Sequence, residues 1–146
     1  MKRILFLILT VTVVVLGSCK KKSSSVPAQM TAVIDNKPWV SGNSAVKFDK
    51  TSGVHITITA DSANTHMKLD IGNYTGAGTY VVSDSGNTAS YISRDGETHV
   101  ATSGQIVVTA NTTNGTNRNG IKGTFQFLAG TVQVTAGAFD VNMYLN

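Results

Sequence analysis

Strict alternation of apolar and polar residues through most of the chain beyond residue 53 restricts the fold more than any other feature. Val54, Ile56, Ile58 and Ala60 take one face of a segment whose other face carries His55, Thr57 and Thr59. Met67, Leu69 and Ile71 alternate with Lys68 and Asp70, and Ile106, Val108 and Ala110 alternate with Gln105, Val107 and Thr109. Phe125 and Phe127 oppose Thr124 and Gln126; Val132 and Val134 oppose Gln133 and Thr135; Phe139, Val141, Met143 and Leu145 oppose Asp140, Asn142 and Tyr144. A period of two places successive side chains on opposite sides of a strand, so each segment has one buried and one wet face. No window beyond residue 19 carries helical spacing.

The punctuation suits antiparallel connections. Asp95-Gly96 divides residues 89–94 from 97–102 and signals a type I′ hairpin. Residues 35–38 (DNKP) read as a turn, the Gly-rich residues 75–78 interrupt the chain before 79–82, and Gly130 and Gly137 mark the last two turns. Residues 111–119 (NTTNGTNRN) form the longest polar stretch and the clearest exposed loop. The total is about ten short strands, which calls for an all-β antiparallel β-sandwich or a flattened barrel.

The N-terminus reads differently. Lys2 and Arg3 precede an apolar run, residues 4–16, broken only by Thr10 and Thr12. As a helix the run is about 20 Å long, against a hydrocarbon core of about 30 Å, a length suited to a signal peptide. Residues 16–19 (LGSC) resemble the lipobox of bacterial lipoproteins. That resemblance implies cleavage of residues 1–18 and acylation of Cys19 with diacylglycerol and a further fatty chain such as palmitate. The alternative is a plain secretory signal with an incidental Cys. Cys19 is the only cysteine, so no intramolecular disulfide and no Cys nucleophile or Cys metal site is available. Residues 20–27 (KKKSSSVP), with Cys19, form a flexible tether, and residues 28–146 form the all-β domain.

Charge follows the same division. Of 12 Lys+Arg, five are Lys2, Arg3, Lys20, Lys21 and Lys22; the remaining 7 face 8 Asp+Glu. The basic character belongs to signal and tether, and a nucleic-acid partner is not expected. The tether lysines either pair with anionic lipid or are simply solvated.

Candidate chemistry is sparse. His55, His66 and His99 lack metal-ligand spacing. The chain has no Gly-x-Ser-x-Gly elbow, and Glu97 is its only Glu, so a glycosidase carboxylate pair is hard to supply. No catalytic residue, metal or cofactor is expected. Among the aromatics, Trp39 and Tyr80 are expected to pack or cap the core, whereas Tyr144, on the outer face with Asp140 and Asn142, and Tyr91 are the candidates for ligand binding. Asp61-Ser62-Ala63 resembles the Asp-Ser/Thr-apolar site at which Bacteroidota attach O-glycans to exported proteins, which implies Ser62 as an acceptor.

Five pieces in order extend the resemblance to the whole body: AVIDNKPW at residues 32–39, GAGTY at 76–80, GQIVVT at 104–109, GTFQF at 123–127 and VTAGAFDV at 134–141. Together they are similar to a family of small Bacteroidota lipoproteins classed as a domain of unknown function. Asn36 stands where that family has a turn Gly, and Ala136 where an Asn commonly precedes Gly137, both expected in turns. The resemblance implies a cell-envelope lipoprotein held at the outer membrane through Cys19, and it transfers no site. The expected function is a non-enzymatic binding or structural module. The alternatives are a glycan-binding accessory protein, an envelope hydrolase and an enzyme inhibitor. Its partners would be the membrane and a glycan or envelope protein. Surface-exported lipoproteins of the kind it resembles often carry acidic residues just after the Cys, and residues 20–25 have none, so the resemblance implies the periplasmic face over the cell surface.

Overall fold

The computed structural model describes residues 29–49, 55–82, 86–113 and 118–144. Residues 1–28, on which the expected signal peptide, Cys19 and tether fall, lie outside the described residues, as does Val54. Eleven strands are present among the described residues: β1 (Gln29–Ile34), β2 (Lys37–Val40), β3 (Asn43–Asp49), β4 (His55–Ser62), β5 (Thr65–Ile71), β6 (Gly78–Val82), β7 (Thr88–Ile92), β8 (Thr98–Val100), β9 (Ser103–Thr113), β10 (Arg118–Ala129) and β11 (Val132–Tyr144). They form a six-stranded sheet in the order β2-β1-β11-β10-β9-β6 and a five-stranded sheet in the order β3-β4-β5-β7-β8. Every pairing is antiparallel. The two sheets keep separate edges, so the fold is a sandwich and not a closed barrel.

The alternation dictates which faces meet. Met30, Ala32, Ile106, Phe125, Phe127 and Phe139 of one sheet join Ile56, Ile58, Met67, Leu69 and Ala89 of the other in a single buried cluster. Each such large side chain contributes about 1.5–3 kcal/mol by leaving water. Asp70 is the exception to the wet-face rule, being 8% exposed. Its neighbours across the sheet, Thr57 on β4 and Thr88 on β7, donate their hydroxyls to it at 2.6 and 3.2 Å, and Lys68 Nζ lies 2.8 Å away. Burial pushes its carboxyl pKa up, but Lys68, Thr57 and Thr88 pull harder, and the net shift is downward.

Several local expectations are corrected. β11 runs unbroken through Gly137, which is not a turn residue. Ala136, at φ 47°, instead sits in a β-bulge: Phe125 pairs with Gly137 but Phe127 pairs with Val134, leaving Thr135 and Ala136 opposite Gln126. The extra residue changes the parity of the inward face. Val132 and Val134 point to the core before the bulge, Phe139 and Val141 after it. Gly137 and Gly123 face the core because rings occupy their Cβ positions. A Cβ at Gly137 would lie 2.6 Å from Phe125 Cδ2, and one at Gly123 2.4 Å from Phe139 Cζ. The polar stretch 111–119 is strand at both ends, in β9 and β10, and only residues 114–117 lie outside the described residues. β3 had no counterpart in the sequence reading.

The type I′ geometry expected at Asp95-Gly96 is found instead in the β1–β2 turn. Asp35 and Asn36 both have positive φ, 47° and 64°, and connect the paired residues Ile34 and Lys37, the pattern of a two-residue type I′ turn. Lys37 and Pro38 therefore belong to β2. In the second hairpin only Gly96 is left-handed, at φ 86°. Gly96 N–H donates to Ser93 O and Ser93 N–H to Glu97 O, both at 3.0 Å, which makes a three-residue loop with Gly96 in the bulge position.

Candidate functional site

The loop correction decides which side chains line a concavity beside the β7–β8 loop. A two-residue Asp95-Gly96 loop would set Tyr91 opposite Val100; the three-residue loop sets it opposite His99. The Tyr91 and His99 rings consequently stack on each other, centroids 6.1 Å apart and planes inclined by 17°. They help to line a cleft of about 340 Å³ at one end of the sandwich. The β1–β2 turn supplies Asp35, β2 supplies Lys37, Pro38 and Trp39, and the β7–β8 loop supplies Ser93, Asp95 and Glu97. Ile34 and Val132 complete the lining. A cleft of this size, with an aromatic surface and a few converging polar groups, has the character of a small-ligand site.

Hydrogen bonds fix its walls. Asp35 N–H donates to Gln133 O at 3.0 Å, and Gln133 N–H donates to Asp35 Oδ1 at 2.9 Å, which binds the β1–β2 turn to the start of β11. The Trp39 indole N–H donates to Thr65 Oγ1 at 2.8 Å, and that hydroxyl donates to Ser62 O at 2.6 Å. Trp39 thereby joins the six-stranded sheet to the β4–β5 turn of the other sheet. The Ser93 hydroxyl donates to Asp95. That bond, with the backbone N–H groups of Asp95 and Glu97, holds the Asp95 carboxyl below its ordinary range. The Tyr91 phenol is pushed above its ordinary pKa of 10.0, first by burial and then by the negative charges of Asp35 and Asp95, against the opposing pull of Arg94 and Thr65. His99 Nε2 lies 3.9 Å from Glu97 Oε2.

The residues singled out from sequence fall in different places. Tyr91 is half-buried in the cleft. Tyr144 ends β11, and its side chain is outside the described residues, as is Cys19. Ser62 ends β4 beside the turn formed by Ala63 and Asn64, half-buried between exposed Asp61 and Ala63. Trp39 and Tyr80 are buried, 8% and 9% exposed. Tyr80 donates to Gly76 O at 2.7 Å and stacks on Tyr74, centroids 5.9 Å apart. The buried Tyr74 hydroxyl has no hydrogen-bond partner among the described residues.

The histidines are dispersed. His66 pairs with Asp61, and His55 Nε2 lies 3.6 Å from Asp70 Oδ1. The Thr57 and Thr88 hydroxyls beside that second contact turn to the carboxylate, so the group acts as a staple across β4, β5 and β7. No group of three or more potential metal ligands exists among the described residues. Sequence reasoning missed Asp35, Ser93, Glu97 and His99 as neighbours of Tyr91. The available signal was the loop length at Asp95-Gly96, since one residue more or less decides which side chains meet across the hairpin.

Fold and cleft together define an antiparallel β-sandwich with an aromatic and acidic depression at one end. The chain belongs to the family described as Domain of unknown function (DUF6252), whose model matches residues 27–142. No curated protein and no solved structure matches it.

Proposed function

We propose that this chain is a cell-envelope lipoprotein, anchored to the outer membrane through Cys19 on its periplasmic face, whose sandwich is a non-enzymatic module that binds a glycan in the end cleft. The observation carrying the binding role is the Tyr91–His99 surface set beside Asp35, Asp95 and Ser93. Aromatic faces cover the apolar side of a sugar ring, while carboxylates and hydroxyls meet its O–H groups. The envelope role is supported by the lipobox-like residues 16–19. It extends to Ser62, which an exported chain would present beside a hairpin turn as an O-glycan acceptor.

Trp39 is the only tryptophan and lines the cleft, so its fluorescence is a direct reporter. The full chain in a polyoxyethylene detergent, which carries no sugar, is titrated with mono- and oligosaccharides. Saturable change that disappears in Tyr91→Ala is the expected result. No saturable change with any sugar, in a chain that melts normally, would leave the structural-module alternative.

A further inference from the structure

Not every sugar suits this cleft equally. Three carboxylate side chains, Asp35, Asp95 and Glu97, line it, against one cationic lining chain, Lys37, and the nearby Arg94, whose charge also reaches Tyr91. They arrive from two separate turns, one on each sheet, and so flank the aromatic surface instead of forming one acidic loop. Glu97 is largely exposed, with 68% of its side chain accessible, and remains available to a ligand. Asp35 spends Oδ1 on Gln133 N–H, which leaves its second carboxylate oxygen to meet a ligand. A cation over an electron-rich ring gains from the ring face as well as from neighbouring anions. An acidic sugar meets net repulsion in the same place.

We infer that the end cleft selects a sugar bearing a free ammonium group, an amino sugar, over its neutral and acidic counterparts. This rests on the glycan-binding reading above and adds the charge of the ligand to it. Asp35 and Glu97 act as counter-ions to the ammonium, and Tyr91 and His99 cover the ring.

The full chain is titrated at about pH 7, where an amine of ordinary basicity is mostly charged, with glucosamine, glucose, N-acetylglucosamine, glucuronate and lysine methyl ester, following Trp39 fluorescence. Glucosamine is expected to bind about tenfold more tightly than glucose, a difference of about 1.4 kcal/mol, with N-acetylglucosamine resembling glucose and glucuronate weakest. Raising the salt should reduce the preference. The double variant Asp35→Asn, Glu97→Gln should bring the glucosamine-to-glucose ratio to about one. Asn tolerates the left-handed backbone at residue 35, so the turn survives the substitution. Glucose binding as tightly as glucosamine would overturn the charge selection and leave glycan binding standing. Lysine methyl ester matching glucosamine would overturn the amino sugar as ligand, since the ammonium alone would then suffice. Absence of binding by every sugar would remove the glycan reading itself.

Discussion

Ala136 occupies a backbone conformation, φ 47°, that costs an L-residue with a Cβ about 1–2 kcal/mol. Its side chain is exposed, so nothing in the core compensates for it. Ala136→Gly is expected to raise stability by about 0.5–1 kcal/mol, the relief of strain being partly offset by the greater freedom of Gly in the unfolded chain. Ala138→Gly, two residues on in ordinary strand, should lower stability by a similar amount. Denaturant melts of the pair decide the matter by opposite signs. Asp70 gives a second test at this scale. Its folded pKa is lowered, so its contribution is fully present above the unfolded value near 3.8 and is lost as pH falls through the lower folded value. Melts from about pH 6 down to pH 2 should therefore show an acid-side loss that is smaller in Asp70→Asn than in wild type. Equal slopes would mean that the Thr57–Lys68–Thr88 cluster does not hold the carboxylate in its charged form.

At the scale of elements, β9, β10 and β11 depend on pairing glycine with phenylalanine. Gly104 pairs with Phe127, Gly123 with Phe139 and Phe125 with Gly137; at Gly123 and Gly137 the ring takes space that a Cβ would fill, and at Gly104 Gln126 O and the Cα and Cβ of Phe127 take it. Gly137→Ala is expected to destabilise by about 1–3 kcal/mol, the usual range for overpacking, since its Cβ would lie 2.6 Å from Phe125 Cδ2 and 2.5 Å from Phe125 O. Gly78→Ala, where nothing lies within 4 Å, should change stability little. A comparable loss at both positions would show a general strand effect and not ring packing. The inward faces of β4, β5, β9 and β10 were legible because Ile56, Ile58, Met67, Leu69, Ile106 and Phe125 keep a strict period. Gly137 misled because a glycine under an aromatic ring and a glycine in a turn are the same letter. The candidate site was legible only as Tyr91. Its neighbours depend on register, and register here depends on one residue in the loop at Asp95-Gly96.

The molecule as a whole divides its physical properties along the chain. The sandwich has an apolar core, and among the described residues no helix is long and apolar enough to cross a membrane. The positive charge in excess of the body's near balance lies in Lys2, Arg3, Lys20, Lys21 and Lys22, ahead of the sandwich. On the lipoprotein proposal, membrane attachment rests with the acyl chains at Cys19, assisted by three adjacent lysines at no more than about 1 kcal/mol each. Each buried CH₂ of an acyl chain contributes about 0.8 kcal/mol, so several chains outweigh the lysines by a wide margin. Cys19→Ala should therefore move the protein out of the membrane fraction, and high-salt washing of wild-type membranes should release little. Replacing Lys20, Lys21 and Lys22 by Ser should leave wild-type partitioning almost intact. If Cys19→Ala stays with the membrane and is released by salt, the lysines and not acylation make the attachment. If it stays through the salt wash as well, the apolar run at residues 4–16 is retained as the anchor and the lipobox resemblance has misled.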